Sequence, residues 1–117
     1  MAVTLVSSYN PDWPGWFETI RLRIEPRLEG IVHGIEHVGS TSIPGMTAKA
    51  IIDIDIVAQK ADFPVVEARL ERLGYLHQGD RGIPEREAFD LVDEGARREL
   101  PEHHLYVCMS GADGTGT

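Results

Sequence analysis

The sequence predicts an α/β domain (α+β in the looser sense) with a small mixed β-sheet and helices packed on one face. Three observations carry this. Ile51 to Val57 is dense in β-branched residues and too short for a buried helix, so it reads as a strand. Trp13 to Leu28 and Phe63 to Leu73 place apolar residues at helical spacing. Strand, helix and strand then follow one another from Ile51 to His77, an order that lays the helix across one face of the sheet.

The elements follow in order. Val3 to Val6 is a short strand or an extended lead-in. Asn10-Pro11-Asp12 is a turn cluster, and Asp12 is positioned to cap the next helix. In that helix the apolar positions 13, 16, 17, 20, 24 and 28 share one side, so the two tryptophans read as core anchors. Pro14 suits a first turn, whereas Pro26 should kink or frustrate the last one. Gly30 ends the helix, and Ile31 to Val38 reads as a strand with His33, Ile35 and His37 on one face. The two histidines do not suggest zinc, because a His-x3-His pair needs a helix to bring both rings together.

The loop 39–50 is no P-loop: Pro44 and Gly45 break the Gly-x4-Gly-Lys spacing, and Lys49 lies too far on. After the Ile51–Val57 strand, Asp62 is placed to cap a helix with Pro64 in its first turn. Phe63, Val66, Leu70 and Leu73 form its apolar side, Arg69 and Arg72 point outward, and Gly74 closes it. Tyr75 to His77 returns to strand, Gln78 to Pro84 is a polar loop, and Ala88 to Val92 is a short strand. Asp93 to Glu102 reads as a charged, hairpin-like excursion. His103 to Cys108 is a final strand with His104, Tyr106 and Cys108 on one face.

Composition bounds the rest. The 117 residues make one domain with a modest core, 42% of them hydrophobic and none in a run long enough to span a membrane. A start of MAVTLVSSYN has no basic segment and no apolar stretch of secretory type, and a single cysteine rules out an internal disulfide; both point to the cytoplasm. Cys108 has no base beside it in sequence and reads as a small buried hydrophobe. A formal net charge of −8 argues against extended nucleic acid as a partner.

The chemistry concentrates in His37 to Val57. Alternation puts Ile52, Ile54 and Ile56 on one strand face and Asp53 and Asp55 on the other, with Cα atoms roughly 6.6 Å apart at two strand rises. Two carboxylates so placed can share one cation and repel each other without it. Upstream, separated from Asp53 by twelve residues, Gly39-Ser40 offers backbone N–H groups and a hydroxyl to a phosphate. Mg²⁺ commonly takes one or two carboxylates and completes its shell from phosphates and water. A phosphate cradle beside a carboxylate pair suits a nucleoside triphosphate. The same residues also describe a wet strand face after an ordinary turn. Lys49, just before the aspartate strand, is either a phosphate contact or a solvated lysine.

The stretch HVGSTSIPGMTAKAIIDIDI closely resembles the signature of the GrpB family, of the nucleotidyltransferase-fold superfamily. That superfamily's motif is a hydrophobic residue, Gly, Gly or Ser, a spacer of about ten, then Asp-x-Asp; Val38-Gly39-Ser40 and Asp53-Ile54-Asp55 match it. The likeness extends over YNPDWPGWF near the start, LGY at 73–75, GIPER at 82–86 and HHLYV at 103–107. The resemblance implies a nucleotidyltransferase-like domain over residues 1–108, with 109–117 a disordered, glycine-rich tail. It implies Mg²⁺ (or Mn²⁺) on Asp53 and Asp55, and a nucleoside triphosphate held by Gly39, Ser40, Thr41, Lys49 and Arg86, the last of which also reads as a surface salt bridge. The nucleotidyl group would pass to a small-molecule or protein acceptor.

The likeness thins at two places. Many active nucleotidyltransferases carry a third carboxylate on a neighbouring strand, where this chain offers His104, as metal ligand or base; Asp90 is an alternative third acid. Family members continue into a helical segment with a Phe-Arg-Asp-like motif, where this sequence reads MSGADGTGT. Two other readings therefore stand beside the enzyme. One is a nucleotide- or metabolite-binding module without turnover. The other is an accessory domain of a dephospho-CoA kinase, since GrpB-like domains occur fused to that enzyme. A purely structural role is the weakest reading, because two aspartates on an aliphatic strand would cost stability without purpose.

Overall fold

A computed structural model describes residues 6–110. In chain order these form β1 (Val6–Ser7), α1 (Trp13–Leu28), β2 (Gly34–Val38), β3 (Ala48–Lys49), β4 (Ile52–Gln59), α2 (Phe63–Arg72), β5 (Tyr75–Gly79), β6 (Arg86–Leu91), α3 (Glu94–Glu99) and β7 (His103–Ser110). Single 3-10 turns at Ser40–Ser42 and Lys60–Asp62 lie between β2 and β3 and between β4 and α2. Five strands make a mixed sheet in the order β2-β4-β7-β6-β5. Its central pair, β4 and β7, is parallel, and its other pairings are antiparallel. β1 and β3 form a separate two-stranded ribbon. The fold is thus a mixed α+β domain, as expected.

The strand-face assignment decides where the core lies. Ile52, Ile54, Ile56 and Ala58 have no exposed surface, while Asp53, Asp55 and Val57 are half-buried. Against the buried face pack Trp13, Phe17, Ile20, Ile24 and Leu28 of α1, Val66 and Leu70 of α2, and Tyr75, Phe89, Leu105 and Val107 from neighbouring strands. Each buried isoleucine is worth about 1.5–3 kcal/mol, enough to hold β4 in register while its other face carries two carboxylates. Both long helices cover this one face and leave the aspartate face free of them. No helix among the described residues is long and apolar enough to cross a membrane.

Several local expectations are corrected. Asp12 and Asp62 make no side-chain cap; α1 is instead entered by Trp13 N–H donating to the Asn10 carbonyl, and α2 from its 3-10 turn. Pro26 sits inside α1, which nevertheless runs to Leu28; its missing N–H leaves the carbonyl of Leu22, an exposed residue, without its intrahelical donor. The Asp93–Glu102 excursion is no hairpin: Asp93 accepts from Ala96 N–H at 2.9 Å and caps the short helix α3. β2 begins at Gly34 and leaves His33 outside it, and β6 begins at Arg86. β7 continues through Met109 and Ser110, so the strand outruns the expected boundary at Cys108. The rest of the expected tail, 111–117, and most of the expected strand at Val3 to Val6 lie outside the described residues.

Candidate functional site

Strand register assembles the site. β4 pairs Asp53 with His104 and Asp55 with Tyr106 on β7. β2 places Glu36 beside Asp55 and Val38 beside Asp53, and β6 places Arg86 beside Cys108. Since paired positions share a face, Glu36, Asp53, Asp55, Arg86, His104, Tyr106 and Cys108 all lie on the side that the helices leave uncovered.

Each aspartate has a basic partner. His104 Nδ1 lies 3.3 Å from Asp53 Oδ1. The contact raises the His104 pKa above its ordinary value, with partial burial opposing it. Arg86 Nη2 donates to Asp55 Oδ1 at 2.9 Å. Its guanidinium also lies 3.6 Å above the Tyr106 ring, a cation–π contact that fixes the group from below. Partial burial of Arg86 works against its charge, but the hydrogen bond and negative charge of Asp55, with Cys108 adding to them, together raise the pKa. Burial also pushes the Cys108 thiol up, with Asp55 adding to the effect. Cys108 is half-buried on this open face beside Arg86, not enclosed in the core as a small buried hydrophobe would be.

The loop after β2 closes on the same point. Gly39 has φ +77°, a region that favours glycine, and a Cβ there would lie 3.1 Å from Asp53 Cβ and Cγ and nearer still to Oδ2. Backbone and carboxylate therefore meet at van der Waals distance. Ser40 opens the 3-10 turn and is exposed. Thr41 is different. It is only 1% exposed and its hydroxyl lies 2.9 Å from His37 Nε2, so it anchors the loop and does not face the cleft. His37 stacks on Phe17 with centroids 5.0 Å apart, and burial lowers its pKa. It belongs to the core side, not to the site. Lys49 is exposed, on a ribbon strand opposite Val6, and makes no ion pair among the described residues.

Two depressions flank His104. One, of about 480 Å³, is bordered by Asp90, Arg97, Glu102, His103 and His104; the other, of about 170 Å³, by Ala88, Asp90, His104 and Tyr106. Asp90 thus stands across the cleft from His104, where it is exposed and 3.5 Å from Arg81.

Sequence reasoning missed three groupings. Arg86 was singled out for phosphate, but its partnership with Asp55 needed the β4–β7–β6 register. His77 is held by Glu67 at 3.2 Å and Glu87 at 2.6 Å, tying α2 to the β5–β6 edge. His103 Nδ1 lies 2.8 Å from the Pro101 carbonyl, which can only accept, so that nitrogen carries the proton and Nε2 accepts from the Tyr75 hydroxyl at 2.6 Å. Adjacent histidines in sequence foretold none of this.

As a donor set for a cation the site offers two hard oxygen groups, Asp53 and Asp55. No cluster of three or more His, Cys, Asp or Glu side chains suited to a metal occurs among the described residues. Two carboxylates are the number of protein ligands that Mg²⁺ or Mn²⁺ can take when phosphate and water supply the rest.

Fold and site together define a small α+β domain whose open sheet face carries paired aspartates against an arginine and a histidine. The family model described as GrpB protein matches residues 3–116, and the chain belongs to the GrpB family. It is similar to a UPF0157 protein of Halalkalibacterium halodurans, 43% identical over 75 residues, covering 63% of this chain and 38% of that protein. UPF0157 protein YqkA of Bacillus subtilis is 30% identical over 99 residues, covering 84% of this chain and 28% of its own. The crystal structure of conserved protein GrpB from Enterococcus faecalis superposes with a TM-score of 0.73 at 26% identity, over 90% of this chain and 61% of that one. The matched parts span less than two fifths of both curated relatives.

Proposed function

We propose that this domain is nucleotidyltransferase-like and binds a nucleoside triphosphate through Mg²⁺ (or Mn²⁺) held by Asp53 and Asp55. The observation that carries the reading is the convergence of Gly39 on Asp53, which brings the start of the Gly39-Ser40 loop against the first carboxylate of the pair. A metal bound there would neutralise charge on the phosphates. Gly39 and Ser40 present backbone and hydroxyl donors to the phosphates, and Arg86 is preorganised by Tyr106 to give a planar, charge-assisted contact. Lys49 adds a mobile positive charge at the loop's end. His104, bordering the cleft, is the base toward an acceptor hydroxyl once its proton is released. The acceptor occupies the 480 Å³ depression on its far side.

A second reading is binding without turnover. One observation favours it: the strand beside the aspartates offers His104 where a third acid would serve catalysis. Thermal-shift measurements with nucleoside triphosphates, with and without Mg²⁺, test the shared core of both. Ligand at a hundred times its dissociation constant adds about 2.7 kcal/mol. A Mg²⁺-dependent shift that Asp53→Asn abolishes supports binding at the pair. Pyrophosphate release in the presence of acceptor mixtures then separates enzyme from binder. No shift with any nucleotide overturns both.

A further inference from the structure

The helix layer carries a second charged site, on the opposite side of the sheet from the aspartates. The last turns of α1 and α2 meet in a cleft of about 330 Å³ lined by Pro26, Arg27, Arg69, Arg72 and Leu73. Two guanidinium groups fasten the seam: Arg23 Nη1 donates to the Leu73 carbonyl at 3.0 Å, and Arg69 Nη1 to the Arg27 carbonyl at 2.9 Å. Arg27 and Arg72 are exposed. In a chain with a formal net charge of −8, acids are plentiful. Yet among the described residues none forms an ion pair with Arg23, Arg27, Arg69 or Arg72, although Arg21, Arg81 and Arg86 all have carboxylate partners.

Helix ends explain part of this gathering. A helix C-terminus carries about half a negative charge. Three of these arginines, Arg27, Arg69 and Arg72, line the cleft, and two such ends offset roughly one of their positive charges and leave about two without a counterpart. Like charges held together by backbone bonds, with a cleft between them, form an anion receptor.

We propose that this seam binds a small polyphosphate, independently of any metal and of the aspartate face. Planar guanidinium forks match tetrahedral phosphate oxygens, several cations call for more than one anionic charge, and the cleft has the size of a small-ligand site. Arg69 is held in place before the ligand arrives, by its bond to the Arg27 carbonyl, so less side-chain order is lost on binding.

Isothermal titration of the full chain with sodium pyrophosphate in metal-chelating buffer tests the proposal. The wild type binds. Arg27→Gln/Arg72→Gln weakens binding at least tenfold, since each charge-assisted contact is worth roughly tenfold or more. Lys60→Gln/Arg98→Gln, which removes the same charge from exposed positions elsewhere, leaves it unchanged, as does Asp53→Asn. The proposal is overturned if the wild type shows no binding at millimolar pyrophosphate. It is equally overturned if the two double variants weaken alike, which would reduce the effect to overall charge, or if Asp53→Asn abolishes binding. Because metal is chelated throughout, failure here leaves Mg²⁺-dependent binding at the aspartates undecided by this measurement and open to its own.

Discussion

The backbone of Gly39 lies against the carboxylate of Asp53, with no room for a side chain between them. Gly45, in the same loop, also has positive φ (+84°) but nothing within 4 Å of a would-be Cβ. The pair separates two costs. Gly45→Ala carries only the strain of a left-handed backbone, about 1 kcal/mol. Gly39→Ala carries that strain plus a collision with Asp53, for a total of about 2–4 kcal/mol. Urea denaturation of the two variants checks this; equal losses would mean that Asp53 moves aside freely.

Arg86 and Asp55 should behave as a coupled pair. Their side chains are 28% and 20% exposed, so solvent screens the interaction only partly. A double-mutant cycle with Arg86→Gln and Asp55→Asn should give a coupling of about 1 kcal/mol. Arg86→Lys should lose most of it, because an ammonium cannot both stack on Tyr106 and bond to Asp55 as the guanidinium does. Additive single effects would show that the contact is idle in solution.

His103 predicts a dependence on pH. Burial lowers its pKa below the usual 6.5, while the Pro101 carbonyl partly offsets this. The unfolded chain then takes up a proton that the folded chain refuses. The stabilising contribution of neutral His103 is whole above pH 6.5 and shrinks as pH falls toward the lowered folded pKa. His103→Gln removes that contribution, so its penalty should be smaller near about pH 5.5 than near about pH 7.5. Denaturation midpoints at the two values decide the matter. A penalty that grows on acidification contradicts it.

Ile54→Ala tests the load on the covered face of β4. The side chain has no exposed surface and is enclosed by the core cluster. Its loss should cost about 2–5 kcal/mol. Val57→Ala, from the half-buried aspartate face of the same strand, should cost clearly less. Similar losses would imply that the open face is covered in solution.

What the sequence revealed follows from range. Asp53 and Asp55 opposite Ile52, Ile54 and Ile56 was legible because alternation is a property of consecutive residues. The faces of α1 and α2 were legible for the same reason. The partners of the aspartates were not, since Asp53 meets His104 and Asp55 meets Arg86 only through strand pairing across distant segments. Thr41 looked like a loop hydroxyl for a ligand, yet it turned inward because His37 needed a partner on the core side. The helix α3 escaped notice because six charged and small residues leave almost no apolar period to read. The arginine seam was visible only as outward-pointing residues, for the convergence of two helix ends is tertiary.

The sheet order also bears on how the chain comes to be folded. β4 lies between β2 and the middle strand β7, yet β7, its parallel neighbour, is synthesised some fifty residues later. During translation the Ile52–Ile56 segment therefore waits with one row of backbone donors and acceptors bare, beside a β2 that is already available. Such an edge is a template for another nascent copy. Closing the sheet requires a long-range contact that cannot form early, so acquisition of the native state should be slow for a domain of this size. Chains halted before His103 would be the aggregation-prone species.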